Sequence, residues 1–332
     1  MKHYIKRFIK ILAVIFGAFI LLLFISSITN IILLKIENKK IVPNGTLIEV
    51  NNHRLHVYSQ GDINNKPTLV FMSGGGTAAP LYDFKPLYSL LYDEYHTIVI
   101  EKIGYGYADI VNTNRDIDIM LEETRAALQS AGNNGPYVLF PHSMSGLEAL
   151  YWLSKYPQEI IAIIGLDMAF PAAYDRLKET EALMRIQYAL LIMIAKTGLQ
   201  RIPIFTSQIA GNIGLTVEEH SQAKYLAYRN FGNISLRNEV KSVFANAEKV
   251  HNANITNKNG NILLFSSTGK EIGKFWVSMQ KDFASEINVE LVLLDCGHYI
   301  HHFESAKIAE KSKQFLNELL VETSALYGGN GR

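Results

Sequence analysis

Three short segments carry residues suited to nucleophilic chemistry, and each follows a run of apolar residues. The first is Phe140-Pro141-His142-Ser143-Met144-Ser145-Gly146, between an apolar run and a helical pattern. A serine on a sharp strand-to-helix turn projects its hydroxyl above a sheet, and its neighbours must be small because strand and helix crowd together there. An ordinary helix N-cap serine would suit the same position, so Ser143 alone leaves both readings open. The second is Asp295-Cys296-Gly297-His298, after the last apolar run. A loop histidine at that place can accept a proton from a serine near neutral pH. His301 and His302, at the start of the last helix, read as surface or capping residues. The third is Phe71-Met72-Ser73-Gly74-Gly75-Gly76-Thr77. Glycines let backbone N–H groups come close to a ligand and face developing negative charge, although a plain tight turn has the same composition. No Gly-Lys-Ser/Thr follows, so the segment is not a phosphate loop.

The elements that must position these residues are legible from periodicity. Thr46 to Val50 and His53 to Tyr58 flank Asn51-Asn52 and predict a β-hairpin. Buried strands are predicted at Thr68 to Met72, Thr97 to Ile100, Tyr137 to Phe140, Ile160 to Leu166, Ile262 to Phe265 and Val289 to Leu294. Asp116 to Ser130 and Ser145 to Lys155 carry helical periodicity. Continuous apolar strands alternating with helices imply an α/β fold, a mostly parallel central sheet covered on both faces. The rhythm breaks between Phe170 and about Asn259, too long a stretch for a loop, and it reads as a helical cap over residues 171–259. The core is then split into residues 46–170 and 260–320, with a tail at 321–332.

The chain has 332 residues, with 32 Lys plus Arg against 31 Asp plus Glu. A balance this close to neutral leaves no basic footprint for nucleic acid. At 48% hydrophobic and 19% charged residues, global disorder is excluded. Cys296 is the one cysteine, so there is no internal disulfide and no cysteine-based zinc site. Ile11 to Leu34 is uncharged and is predicted as a transmembrane anchor, between a basic segment at 1–10 and a linker at 35–45. A cleaved signal peptide is the rival, but the apolar run resumes after Ser26-Ser27 as far as Leu34. Only a patch at Ser26, Ser27, Thr29 and Asn30 is polar, too little for the polar face of a soluble core helix. The basic residues favour the N-terminus inside, which places the rest of the chain outside the cytoplasm. Within the cap, Tyr188 to Ala195 is apolar all round and too short to span a bilayer. It either packs on the core or dips into the membrane surface.

Taken together, these motifs resemble the α/β-hydrolase family over roughly residues 46 to 320, in the order glycine turn, nucleophile elbow, cap, Gly-His. Glu101-Lys102-Ile103-Gly104-Tyr105-Gly106-Tyr107-Ala108-Asp109 looks like the Asp-Arg-x-Gly-x-Gly-x-Ser loop of many members. The elbow departs from Gly-x-Ser-x-Gly, with Pro141 and Ser145 in the two glycine places. The resemblance implies Ser143 as nucleophile, His298 as base, and an oxyanion hole from the N–H groups of Met144 and Gly75. It places the triad acid after either of two strands. Asp167, in a Gly-Leu-Asp-x-Ala-x-Pro segment like that of some lipases, fits the earlier position, and Glu271 fits the later. The implied activity is hydrolysis of a carboxylic ester or related acyl bond in a small-molecule substrate, without metal or organic cofactor. Dehalogenases and epoxide hydrolases of this fold use aspartate where this chain has serine. An aminopeptidase, or a non-catalytic membrane-anchored binding protein on the same fold, are the alternatives.

Overall fold

The computed structural model describes residues 2–63, 67–202, 214–253, 260–273 and 275–327, and side chains as far as 321. The predicted end of the cap (254–259) and the last five residues of the predicted tail (328–332) lie outside the described residues. Helix α1 (Lys2–Asn38) leads into a hairpin of β1 (Thr46–Val50) and β2 (His53–Gln60). Asn51 and Asn52 turn that hairpin with φ of 53° and 62°, the left-handed pair that a tight two-residue turn requires. The remaining strands are β3 (Thr68–Met72), β4 (Thr97–Glu101), β5 (Tyr137–Pro141), β6 (Ile160–Leu166), β7 (Asn261–Ser266) and β8 (Glu290–Leu293). They form one sheet in the order β1-β2-β4-β3-β5-β6-β7-β8. The β1–β2 and β2–β4 pairs are antiparallel and the other pairs parallel.

All five residues of β4 and of β5 are buried, as central parallel strands covered on both faces must be. One face packs on α2 (Ile117–Ser130) and α3 (Ser145–Lys155), the first capped by the Asp116 side chain on the Asp118 N–H. The cap inserts between β6 and β7. It comprises a short helix Pro171–Leu177, then α4 (Glu181–Thr197), α5 (Val217–Asn230) and α6 (Ile234–Asn252). Helices α7 (Phe275–Glu286) and α8 (Ser305–Tyr327) complete the layers. The predicted apolar span is part of a longer helix than expected. No breaker precedes Asn38, so the basic flanks join the apolar run in α1. Among the described residues it is one helix long and apolar enough to cross a membrane.

Buried charge ties cap to core. The Lys102 ammonium, just past β4, donates to Glu148 of α3 (2.9 Å) and Glu239 of α6 (3.3 Å), and all three side chains are nearly inaccessible. Thr124 and Tyr105 donate to the same two carboxylates. Burial alone would lower the Lys102 pKa, but the two carboxylates hold it above the ordinary value. Removing the cation would leave two buried carboxylates facing each other. Lys102→Met should therefore cost about 3–5 kcal/mol of stability, read as a fall in the urea unfolding midpoint. A change below about 1 kcal/mol, as for an exposed pair, would show that the cluster does not hold the cap.

Candidate active site

The predicted site residues lie beyond the carboxyl ends of β3, β5, β6, β7 and β8, the edge where open α/β sheets form their ligand crevice. Ser143 follows β5 with φ of 52°, a left-handed conformation uncommon for a residue with a side chain. Its neighbours hold it there. The Ser143 N–H donates to Leu166 O and its carbonyl accepts from Gly146 and Ala169 N–H. A Cβ on Gly146 would lie 2.4 Å from Ala169 O, so glycine is what lets the helix approach β6. The helix N-cap is Met144, with no side-chain cap bond; Ser143 is not a capping serine. Ser145, in a glycine place of the motif, is buried and gives its hydroxyl to Met72 O (2.7 Å) and His142 O (2.9 Å). It braces the elbow against β3. Pro141 pairs in register with Met72 as the last residue of β5, and the next N–H, that of His142, donates to Met72 O.

Asp167 follows β6 directly, with φ of 45°, and is fully buried. Its Oδ2 accepts from His298 Nδ1 at 2.7 Å. Its Oδ1 accepts from Trp276 Nε1 (2.7 Å), the Ser267 N–H (2.9 Å) and the Ser266 hydroxyl (3.1 Å). With Nδ1 donating, the histidine's proton is on that nitrogen and Nε2 is the acceptor. Glu271 does not reach the ring. Its carboxylate accepts from the His298 backbone N–H at 2.9 Å, and a Cβ at Gly297 would meet it at 2.5 Å. Of the two acids the sequence offered, the structure puts Asp167 on the imidazole and Glu271 on the loop backbone. Cys296 is half-buried, and burial followed by nearby carboxylates pushes its thiol up to about 11, away from thiolate chemistry at neutral pH.

The glycine turn faces the elbow closely: a Cβ on Gly74 would lie 2.8 Å from Ser143 Cβ, and one on Gly75 2.9 Å from Met144 Cε. Neither the Gly75 nor the Met144 N–H bonds to another group among the described residues. Two carboxylates fix this turn from behind. Glu101 accepts from Leu81 N–H (3.0 Å) and Tyr107 N–H (2.8 Å), in space that a Cβ on Gly106 would fill. Asp83, on the short helix Pro80–Asp83, accepts from His301 Nε2 and His302 Nε2, each at 2.9 Å.

That last pair corrects the reading of His301 and His302 as surface residues. His301 is fully buried, and both rings tie the loop bearing His298 to the helix after the glycine turn. The signal was weak because the partner stands some 218 positions away in sequence. Asp83, His301 and His302 form a group of potential metal ligands whose ligand atoms lie within 4.8 Å of one another. Hydrogen bonds from the two imidazoles already engage both carboxylate oxygens. Burial would raise the Asp83 pKa, but the two imidazoles hold it well below the carboxylate range.

His142 is buried beside the site, with Nε2 3.2 Å from His298 O and its ring 4.7 Å from that of His298. Burial, then the neighbouring His298 and His301, hold its pKa well below the ordinary value. Below about pH 6.5 the unfolded chain binds a proton there that the folded chain refuses. Stability should then fall as pH drops, by up to about 1.4 kcal/mol per unit for such a group. Urea midpoints at successive pH values below 6.5 should fall less steeply for His142→Gln than for the unaltered protein. Equal slopes would contradict a neutral buried imidazole.

No protein-family profile matches the chain. It is 32% identical to the uncharacterized protein YbdG of Bacillus subtilis over 326 residues, covering 95% of this chain and 99% of that protein. Among solved structures, the Acinetobacter baumannii AYE lipase candidate lip1 superposes with a TM-score of 0.65 at 16% identity, over 88% of this chain and 97% of that one. A membrane phospholipase A described as a bacterial virulence factor gives 0.61 at 16% identity, over 96% and 99%. A loop variant of the haloalkane dehalogenase DbeA from Bradyrhizobium elkanii gives 0.63 at 14%, over 85% and 99%. At such identities the shared property is the fold, which serves several chemistries. The chain belongs to the family of Bacillus subtilis YbdG, and it carries that family membership on an α/β-hydrolase fold.

Proposed function

We propose that this chain is a membrane-anchored serine hydrolase acting on a carboxylic ester. The observation that carries the reading is the bond from His298 Nδ1 to the fully buried Asp167, at the sheet edge where Ser143 is held in a left-handed turn. In this mechanism His298 Nε2 takes the Ser143 hydroxyl proton as Oγ attacks the acyl carbon. The N–H groups of Met144 and Gly75 receive the tetrahedral oxyanion. Collapse breaks the bond to the alcohol oxygen, which leaves with the proton from His298. Water, deprotonated by the same ring, then releases the acid and restores the serine. Asp167 keeps the tautomer and stabilises the imidazolium. Solved structures of the same fold include a lipase candidate and a membrane phospholipase A, which supports an ester. Helix α1 serves as a single-pass anchor, with its basic N-terminal flank inside and the hydrolase domain outside the cytoplasm.

Hydrolysis of p-nitrophenyl butyrate by the full chain in detergent tests these roles. Ser143→Ala should lower kcat by about 10³-fold or more, and Asp167→Asn by on the order of 10³–10⁴-fold. Glu271→Gln, which removes only a backbone partner, should cost less than about ten-fold. A larger loss in Glu271→Gln than in Asp167→Asn would reverse the choice of acid. Undiminished turnover in Ser143→Ala would remove the serine mechanism.

A further inference from the structure

The polar patch that interrupts the apolar run of α1 binds the end of a cap helix. Ser26 donates to Thr197 O (2.6 Å) and Asn30 to Ala195 O (2.9 Å). These carbonyls belong to the last turn of α4, which has no partners of its own for them. Arg201 donates to Asn30 Oδ1 (2.7 Å) and makes a two-bonded ion pair with Glu37 (2.8 and 2.7 Å). A Cβ on Gly198 would lie 2.8 Å from Asn30 Cβ, so the backbones meet almost directly. The residues of α1 that lose exposure, Leu23, Ser26, Ser27, Asn30, Leu33, Leu34 and Glu37, fall at helical spacings of three and four. That is one helix face. The rest of the helix stays bare.

Ser26 lies eight residues before the end of the apolar run at Leu34, which is about 12 Å along the helix axis. The end of α4 is thus held at the depth of the apolar run, where no water could satisfy its carbonyls. Side chains of α1 do so instead. Helix α4 has no fully buried residue. Leu183, Ile186, Leu190 and Met193 project from one stripe of it, each more than half exposed. Arg185 and Lys196 bound this apolar segment, long side chains whose cations can reach away from an apolar layer. This stripe sits on the helix whose last turn is bonded to α1 within the apolar run.

From this attachment and this exposed stripe we infer that α4 is inserted in the lipid bilayer beside α1, its Leu183-Ile186-Leu190-Met193 stripe in contact with acyl chains. The inference rests on the anchor reading of α1 and goes beyond it, because it makes the cap itself a membrane element. Bimane attached at single cysteines in a Cys296→Ser background, in the full chain reconstituted in phosphatidylcholine vesicles, tests it. The positions are Leu190→Cys and Met193→Cys on α4, Phe19→Cys on α1 and Ile119→Cys on α2. Nitroxide-labelled phosphatidylcholine should quench positions 190, 193 and 19 and spare 119, while aqueous iodide should do the reverse. Quenching at 19 with iodide access at 190 and 193 would overturn the inference and keep the anchor. Loss of lipid quenching at 19 as well would overturn both. Shielding of 190 and 193 from lipid and iodide alike would overturn it in favour of a second copy of the chain covering the stripe.

Discussion

Asp167 is fully buried at the end of a central strand, where an unpartnered carboxylate would be very costly. Four donors meet it, and they come from four separate places: the end of β7, the residue after it, helix α7 and the loop beyond β8. Each donor fixes the element that carries it. The strand order sets this up, because β6, β7 and β8 lie side by side and parallel, so their carboxyl ends arrive together. The Asp167 N–H donating to Phe265 O continues the ladder one residue past β6 and aims the carboxylate over β7. Removing this group would release the tryptophan and the histidine loop at once, so its effects reach beyond the imidazole.

The elbow is organised by crowding where Asp167 is organised by polarity. Ser143 and Asp167 both take left-handed backbone conformations at neighbouring strand ends, and strain of that kind persists only where the surroundings over-determine it. Here the surroundings are backbone bonds from Leu166, Gly146 and Ala169, together with the Ser145 hydroxyl on β3. Glu101 and Asp83 fix the short helix that follows the glycine turn, through Leu81 N–H and the two histidines. In the proposed mechanism oxyanion donors must be in place before charge develops, which is what this preorganisation would supply. The departures from the usual elbow pattern fit this frame, since Ser145 adds a brace and Pro141 ends a strand.

Much of this architecture was legible in the residues themselves. Short apolar runs marked the central strands to within about two residues, because a strand buried on both faces has no polar alternation to confuse it. Asn51-Asn52 marked the hairpin, and Ser143 and His298 stood out by their place after strands. The acid could not be settled from sequence. Asp167 and Glu271 are both carboxylates near a strand end, and only the pairing of β6 with β7 shows which one meets the ring. His301 and His302 were misread for a related reason, as their partner Asp83 is distant in sequence and no local pattern points to it. The polar patch in α1 was visible as an anomaly. Its meaning required the end of α4, which lies 165 to 171 positions further along.

The most direct test of the central claim is whether Ser143 is an activated nucleophile in the intact protein. Purified full chain would be treated with a fluorophosphonate probe at neutral pH, and the modified peptide located by mass spectrometry. The account expects one adduct, on Ser143, formed in the unaltered protein and abolished when Asp167 is changed to Asn or Ser143 to Ala. A folded protein that takes no adduct, or takes it on a residue other than Ser143, would contradict it.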